Sequence, residues 1–487
     1  MDLLNVKTIH FVGLGGIGVS AIARFFVSRG AKVSGSDRAD FEQAKELRKR
    51  GIKVYTKHHA KNLPVKAEAI VYSSAVPTDN PELLSARQKG IPMFEYAEAL
   101  GEIMKGKYGI GVSGTNGKTT TTAMLGKILE ADKKDPMVIV GGKVPGWDAN
   151  LRLPNIHRTT LCMFTHTQGS PVRELFVAEA CEYRRHFLNL SPKVIVLTNI
   201  EAEHLDYFKD IEDIKNAFDE YVGKLPKDGF LIYNADDKNV VEVSKNTKAK
   251  KVSCSLKKKK TDAFADNIRY EKGSQVFQVW WKGKDIGDFR IGVPGLFNVY
   301  NALEALACAL TLGASEEGVR RALSRFFGTW RRFERVGKMG KTIIVSDYAH
   351  HPAGVAGTIK ATKELYPNKK ILFVFQPHQK DRTLKLLSEF AEALKTANDL
   401  ILSEIYEVAG RNETAKKISV QDLVHEIEKR ADTNIACSLN LKKTEKIIRN
   451  MIPYYDVVVV MGAGDIYKVA DNLIIPHLPV LSRRSDV

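Results

Sequence analysis

Residues 109–122 read Gly109-Ile-Gly-Val-Ser-Gly-Thr-Asn-Gly-Lys-Thr-Thr-Thr-Thr122. The apolar run Tyr108–Val112 predicts a strand, and good helix formers over Thr121–Ala131 predict the helix behind the turn. Glycines let backbone amides curl round an anion, and a helix N-terminus adds the positive end of its dipole. In such a loop Lys118 reaches the outer phosphates and the Thr119 hydroxyl meets Mg²⁺. The full pattern has glycine at position 112, where Val112 stands. The reading is therefore a shortened phosphate loop that holds ATP through Gly114, Thr115, Asn116, Gly117, Lys118, Thr119 and Thr120. A glycine-rich turn with one surface lysine is the plain alternative, and the flanking strand and helix weigh against it.

The chain around this loop has 487 residues, too many for one core, and about 150 residues per domain suggests three domains. With 44% hydrophobic and 27% charged residues the composition is that of a soluble globular protein. Asp2 and Asn5 break any apolar signal segment, and the longest apolar runs, such as Val457–Met461, are strand-length. Five scattered cysteines without CxxC spacing fit a reducing cytoplasm and argue against a zinc site or a disulfide frame. The net charge of +17 raises the question of nucleic acid. The basic runs are diffuse, however, and no aromatic pattern accompanies them, so the expectation is a solvated basic surface, no nucleic acid and no membrane.

Upstream, strand Thr8–Val12 leads into Gly13-Leu-Gly15-Gly16-Ile-Gly18, a helix over Val19–Arg29, and strand Lys32–Ser34 ending at Asp37. This matches the dinucleotide fingerprint, which suits NAD, another nucleotide's pyrophosphate, or only a tight turn. Strands and helices alternate through Ser73-Ser74, predicting a doubly wound parallel sheet. Downstream, strand Leu175–Ala178 ends in Glu179-Ala-Cys-Glu182 and strand Lys193–Leu197 in Thr198-Asn-Ile-Glu-Ala-Glu-His204. Residues past the carboxyl ends of strands face the ligand crevice of an open α/β sheet, so the loop, Glu179 and His204 should meet there. Hairpins are expected over Lys257–Phe289, and a helix to Leu312 capped by Asn298. The last segment repeats the device: Asp347-Tyr-Ala-His-His351-Pro, Phe375-Gln-Pro-His378 and Met461-Gly-Ala-Gly-Asp465 each follow a strand. The fold expected is thus α/β in three domains: a Rossmann-like 1–107, a central P-loop α/β domain 108–334 with added hairpins, and a Rossmann-like 335–487.

These blocks, together with Gly295-Leu-Phe-Asn298-Val-Tyr-Asn301 and Arg332-Phe-Glu334, occur in one order along nearly the whole chain. In that order they resemble the Mur ligases, ATP-dependent amide-forming enzymes of peptidoglycan precursor synthesis. The opening glycine turn and the two histidine blocks look like the branch that adds L-alanine to UDP-N-acetylmuramate. The branch attaching a recycled tripeptide to the same nucleotide sugar is the runner-up, and a nucleic-acid-associated P-loop ATPase is a distant third. The resemblance implies ATP and Mg²⁺, with Thr119, Glu179 and His204 as metal ligands. It implies Asn298 and Asn301 at the adenine, Arg332 at the γ-phosphate and Asp347 at the ribose. Gly15, Gly16, Ile17, Gly18, Asp37, Ser73 and Ser74 would hold the UDP-sugar, which displaces the NAD reading. Tyr348, His350, His378 and Arg382 would shape the amino-acid and acyl-phosphate side, where an imidazole is suited to take a proton from the attacking amine. A cytoplasmic monomer or weak dimer is expected.

Some positions depart from the family pattern: Gln379 replaces a common arginine, Ser346 a common aspartate, Asn116 a frequent histidine, and Cys181-Glu-Tyr-Arg-Arg185 a more acidic stretch. They leave the ATP chemistry intact and bear on the choice of amino acid.

Overall fold

The computed structural model describes residues 2–41, 43–155, 174–204, 207–271, 273–407 and 418–474. Most of residues 151–173, Leu205, Asp206 and the Gly410-Arg411 pair lie outside them.

The first sheet is formed by β1 (Thr8–Val12), β2 (Lys32–Ser36), β3 (Lys53–Tyr55), β4 (Ala69–Tyr72) and β5 (Met93–Glu95) in the order β3-β2-β1-β4-β5, all parallel. The second contains β6 (Tyr108–Ser113), β7 (Met137–Ile139), β8 (Leu151–Arg152), β9 (Leu175–Glu179), β10 (Val194–Leu197), β11 (Phe230–Asn234), β12 (Lys250–Ser255), β13 (Ala263–Glu271), β14 (Ser274–Trp281) and β15 (Lys284–Ile291). Its order is β15-β14-β13-β12-β11-β10-β6-β9-β7-β8. The predicted hairpin strands β13–β15 thus extend one edge of the sheet that carries the phosphate loop. The third sheet holds β16 (Glu334–Met339), β17 (Thr342–Asp347), β18 (Ile371–Phe375), β19 (Asp399–Leu402), β20 (Asn434–Cys437) and β21 (Val457–Met461), ordered β16-β17-β21-β18-β19-β20. Only β16 in it runs antiparallel.

The chain divides into two compact units, one of Met1–Arg269, Val276–Ile291 and Phe297–Phe326, the other of Tyr270–Gln275, Gly292–Leu296 and Phe327–Val487. In the first unit a single buried cluster runs from Leu3 through Phe26 and Met104 to Phe218 and Ala249, so the first two sheets share a core. Arg24, 3% exposed, helps join them by bonding Asn150 at 2.5 Å. In the second unit separate apolar clusters cover the two faces of one sheet, Phe373 and Val459 on one and Val374 and Val460 on the other. Alternate residues of a strand point to opposite faces, so these near-continuous valine runs are what a sheet buried on both sides requires.

Several local expectations are corrected. The helix after the phosphate loop spans Lys118–Ala131, beginning directly after Gly117 at φ +86° rather than at Thr121. Asn298 is no cap: the helix Leu296–Thr311 already contains it, and the residue is 4% exposed. Strands β16 and β20 were not apparent in the sequence, because edge strands carry charge and lack a clean apolar alternation. The Arg331-Arg332 pair is not a uniformly solvated run. Arg331 is 5% exposed and donates Nη2 to the Gly462 and Gly464 carbonyls, while its guanidinium lies over the Tyr348 and Tyr467 rings.

Candidate active site

Parallel pairing sets the site. β6 lies between β9 and β10, with Val112 opposite Glu179 and Ser113 opposite Leu197. The loops after all three strands therefore leave the same edge of the sheet. Gly114-Thr-Asn-Gly117 turns back on the β10 loop, where Thr115 N donates to Asn199 O at 2.9 Å and Asn116 N to Asn199 Oδ1 at 2.8 Å. Thr198 Oγ1 bonds Asn116 O at 2.6 Å. Thr115 and Asn116, expected at the nucleotide, thus spend their amides on the β10 loop. The first-turn amides of helix Lys118–Ala131 have no carbonyl partner within the helix and are the ones suited to an anion. Gly117 needs its left-handed φ, and a Cβ there would meet Asn301 Oδ1 at 2.3 Å. Asn301 is in turn bonded by Thr121 Oγ1 at 3.2 Å and donates to Asn298 at 3.1 Å. The adenine candidates therefore stand directly against the phosphate turn.

Lys118 Nζ contacts Gly114 O at 2.5 Å, Thr115 O at 2.9 Å and Glu182 Oε1 at 3.0 Å. Burial by itself lowers a lysine, but Glu182 in direct contact, together with Cys181 and Glu179 nearby, outweighs it, and the Lys118 ammonium is held above its ordinary value. Thr119 Oγ1 donates to Glu179 Oε1 at 3.0 Å, and Gly141 N to Glu179 Oε2 at 2.6 Å. His204, in the left-handed region at φ +56°, lies 3.7 Å from Glu182. Lys118, Thr119, Glu179 and His204 are thus brought to one place. The hydroxyl of Thr119 and the carboxylate of Glu179 are hard oxygen donors of the kind Mg²⁺ takes, so this donor set fits the ion. The sequence motifs assign no role to Glu182, which the structure buries at 2% exposure in the middle of this group. Its signal was the i, i+3 spacing from Glu179 past the end of β9.

In the first sheet, Gly15 N donates to Asp37 Oδ2 at 2.8 Å, so the fingerprint acid closes its own glycine turn. Gly16 precedes helix Ile17–Ser28, whose Ile17 carbonyl accepts from Asn150. Gly18 answers a packing need, since a Cβ there would come within 2.5 Å of the Tyr96 ring. Ser73 and Ser74 follow β4 beside the β1 turn, and Ser74 O accepts from Arg184 at 3.4 Å.

The second unit gathers its own group. Arg332 is exposed with its guanidinium 4.9 Å from the Tyr348 ring centroid. Tyr348, His350, His378 and Tyr406 form a chain of ring contacts at 5.2, 6.1 and 5.3 Å. Asp347 accepts from Phe333 N at 2.7 Å, Ala349 N at 2.9 Å and Thr358 Oγ1 at 3.1 Å, a bracing role whatever else it binds. Burial pushes its carboxyl up, against those donors and Arg332. Arg382 lies in the short helix Lys380–Lys385, entered through Gln379 at φ +68°.

His350 Nδ1 lies 3.0 Å from Tyr348 O. A carbonyl only accepts, so Nδ1 carries the proton and Nε2 keeps its lone pair. Burial, then the charge of Arg382, pushes the imidazole down to about 3. A proton acceptor works best with a pKa near the working pH, so His350 suits hydrogen-bond acceptance rather than storage of the amine's proton. Its proton NMR signals should stay flat from about pH 5 to 9. The unfolded chain binds a proton near pH 6.5 that the folded chain refuses until about 3, so stability falls as pH drops through that window. The loss should be smaller in His350→Gln, measured as Tm against pH. An imidazole titrating near neutrality would refute this.

Family models match the chain in three consecutive pieces: "Mur ligase family, catalytic domain" over residues 8–108, "Mur ligase middle domain" over 112–309 and "Mur ligase, glutamate ligase domain" over 331–464. The UDP-N-acetylmuramate–L-alanine ligase of Clostridium kluyveri is 38% identical over 475 residues, covering 96% of this chain and 98% of that protein. Among solved structures, UDP-N-acetylmuramate-alanine ligase from Thermotoga maritima aligns with a TM-score of 0.78 at 27% identity, covering 96% of this chain and 98% of the other. A murein peptide ligase from Psychrobacter arcticus shares the fold, with a TM-score of 0.68 at 21% identity over 96% of this chain and all of the other.

Proposed function

The chain belongs to the Mur ligase family, and from that premise we propose that it joins L-alanine to UDP-N-acetylmuramate, with ATP cleaved to ADP and phosphate. The observation that carries the reading is the convergence of Lys118, Thr119–Glu179 and His204 at one sheet edge in a chain alike over its full length to ligases of that name. We assign the UDP-sugar to 1–107, ATP to 108–334, and the amino acid and adenosine side to 335–487.

A carboxylate does not react with an amine until its oxygen is made a leaving group. Here the lactyl carboxylate oxygen attacks the γ-phosphorus and ADP leaves, giving an acyl phosphate. The neutral amine of L-alanine then attacks the acyl carbon, phosphate departs and the nitrogen loses a proton. Phosphoryl transfer asks the protein for position and charge neutralisation. Lys118 and the amides of its helix face the β- and γ-phosphates, and Arg332 adds a planar, always-charged fork. Asn298 and Asn301 hold the base. Mg²⁺, on Thr119, Glu179 and His204, would supply further charge neutralisation. Tyr348, His350, His378 and Arg382 orient the amino acid. Among the described residues no helix is long and apolar enough to cross a membrane, and we place the reaction in the cytoplasm, where ATP is available.

Phosphate release from the purified protein with ATP, Mg²⁺ and UDP-N-acetylmuramate tests this against a panel of L-alanine, glycine, L-serine and the L-Ala-γ-D-Glu-diaminopimelate tripeptide. Turnover with L-alanine is expected. Turnover with the tripeptide alone would move the protein to the recycling branch. No turnover with any acceptor, with hydrolysis stimulated by nucleic acid, would refute ligation.

A further inference from the structure

Glu182 has no role in the scheme above, yet the charged groups of the site converge on it. Its carboxylate is 2% exposed and touches Lys118 Nζ through both oxygens, at 3.0 and 2.9 Å. Nε2 of His204 is 3.7 Å away, and donor atoms of Glu182, Glu203 and His204 all lie within 4.8 Å of one another. The Tyr183 ring packs on His204 with centroids 4.8 Å apart. An ammonium has three protons to donate, and Lys118 spends them on Gly114 O, Thr115 O and Glu182. A phosphate can engage Lys118 only by displacing one of these acceptors, and Glu182 is the one that competes as an anion. Once displaced, Glu182 would be a buried carboxylate without its counter-ion, which is strongly unfavourable. A divalent cation held by Glu182, Glu203 and His204 restores the balance.

We propose that Glu182 is a positioning residue that exchanges Lys118 for a divalent cation, so that phosphate binding at Lys118 and cation binding at Glu182, Glu203 and His204 promote each other. The exchange rests on the ATP reading given above. Coupling of this kind is reciprocal. In the free protein the lysine blocks the cation and the carboxylate restrains the lysine, so neither ligand alone meets a ready site.

The test measures two affinities on the full chain: ADP in the presence of chelator by calorimetry, and Mn²⁺ alone by electron paramagnetic resonance. In Glu182→Gln, metal-free ADP should bind about tenfold tighter and Mn²⁺ about tenfold weaker. In Lys118→Gln, Mn²⁺ should bind tighter than in the unaltered chain. Glu182→Asp, which keeps the charge on a shorter stem, should fall between, and it serves if the amide variant does not fold. A merely structural role moves both affinities downward together. Same-direction changes, or none, with ADP still bound by the unaltered chain, would overturn the exchange alone. Failure of the unaltered chain to bind ADP even with Mg²⁺ present would overturn the ATP reading and the exchange with it.

Discussion

Replacing Lys118 by alanine is expected to lower kcat/KM for ATP by about 10²–10³-fold, the range seen when one preorganised charge-stabilising donor is removed. The same change leaves Glu182, 2% exposed, facing Gly114 and Thr115 carbonyls with no cation between them. Breaking a buried pair by removing one partner costs about 3–5 kcal/mol, so the variant should also unfold at lower temperature. The two effects separate in the double variant Lys118→Ala, Glu182→Gln, which should recover much of the lost Tm and none of the lost turnover. Near-normal turnover in the single variant would mean that the ammonium does not serve the phosphates.

Glu304→Leu should make the protein more stable. Glu304 lies in helix Leu296–Thr311, 1% exposed, and neither carboxyl oxygen has a hydrogen-bond partner among the described residues. Burial, reinforced by the charge of Asp237, raises its pKa well above the ordinary carboxyl value. An unsatisfied buried polar group costs about 1–3 kcal/mol, and leucine of similar size removes it. The sign with pH follows from proton counting. The folded chain keeps a proton that the unfolded chain releases near pH 4.3, so the wild type loses up to about 1.4 kcal/mol per pH unit above that point, until the folded pKa is reached. The Tm advantage of Glu304→Leu should therefore widen as pH rises. A lower Tm, or a gap independent of pH, would show that the carboxyl is satisfied in solution.

Much of the scaffold was legible because it is written in local chemistry. The apolar runs of β1, β4, β6, β10, β18 and β21 are bounded by glycine or polar residues, and their periodicity is enough to place strands. The edge strands β16 and β20 were missed for the complementary reason: with one side unpaired they are free to carry Glu334, Lys338 and Asn434, and so lose the apolar signature. The helix after the phosphate loop starts three residues before the sequence predicts, since β-branched threonines argue weakly for helix while the start is set by Gly117 in a left-handed conformation.

The amino-acid sequence by itself determined the α/β character, the phosphate turn, and the set of polar residues at the carboxyl ends of strands. Those features depend on residues near one another in the chain. Only the tertiary structure decided how the polar residues are used. Parallel pairing of β9, β6 and β10 put Glu182 against Lys118, sequence separation 64, and bonded the Thr115 and Asn116 amides to Asn199. The tertiary structure also buried Arg331 beneath Tyr348 and left the Glu304 carboxyl oxygens without a hydrogen-bond partner among the described residues. Pairing and burial are set by which distant segments pack together, and the free energy of a charged side chain depends on that environment far more than on its neighbours in sequence.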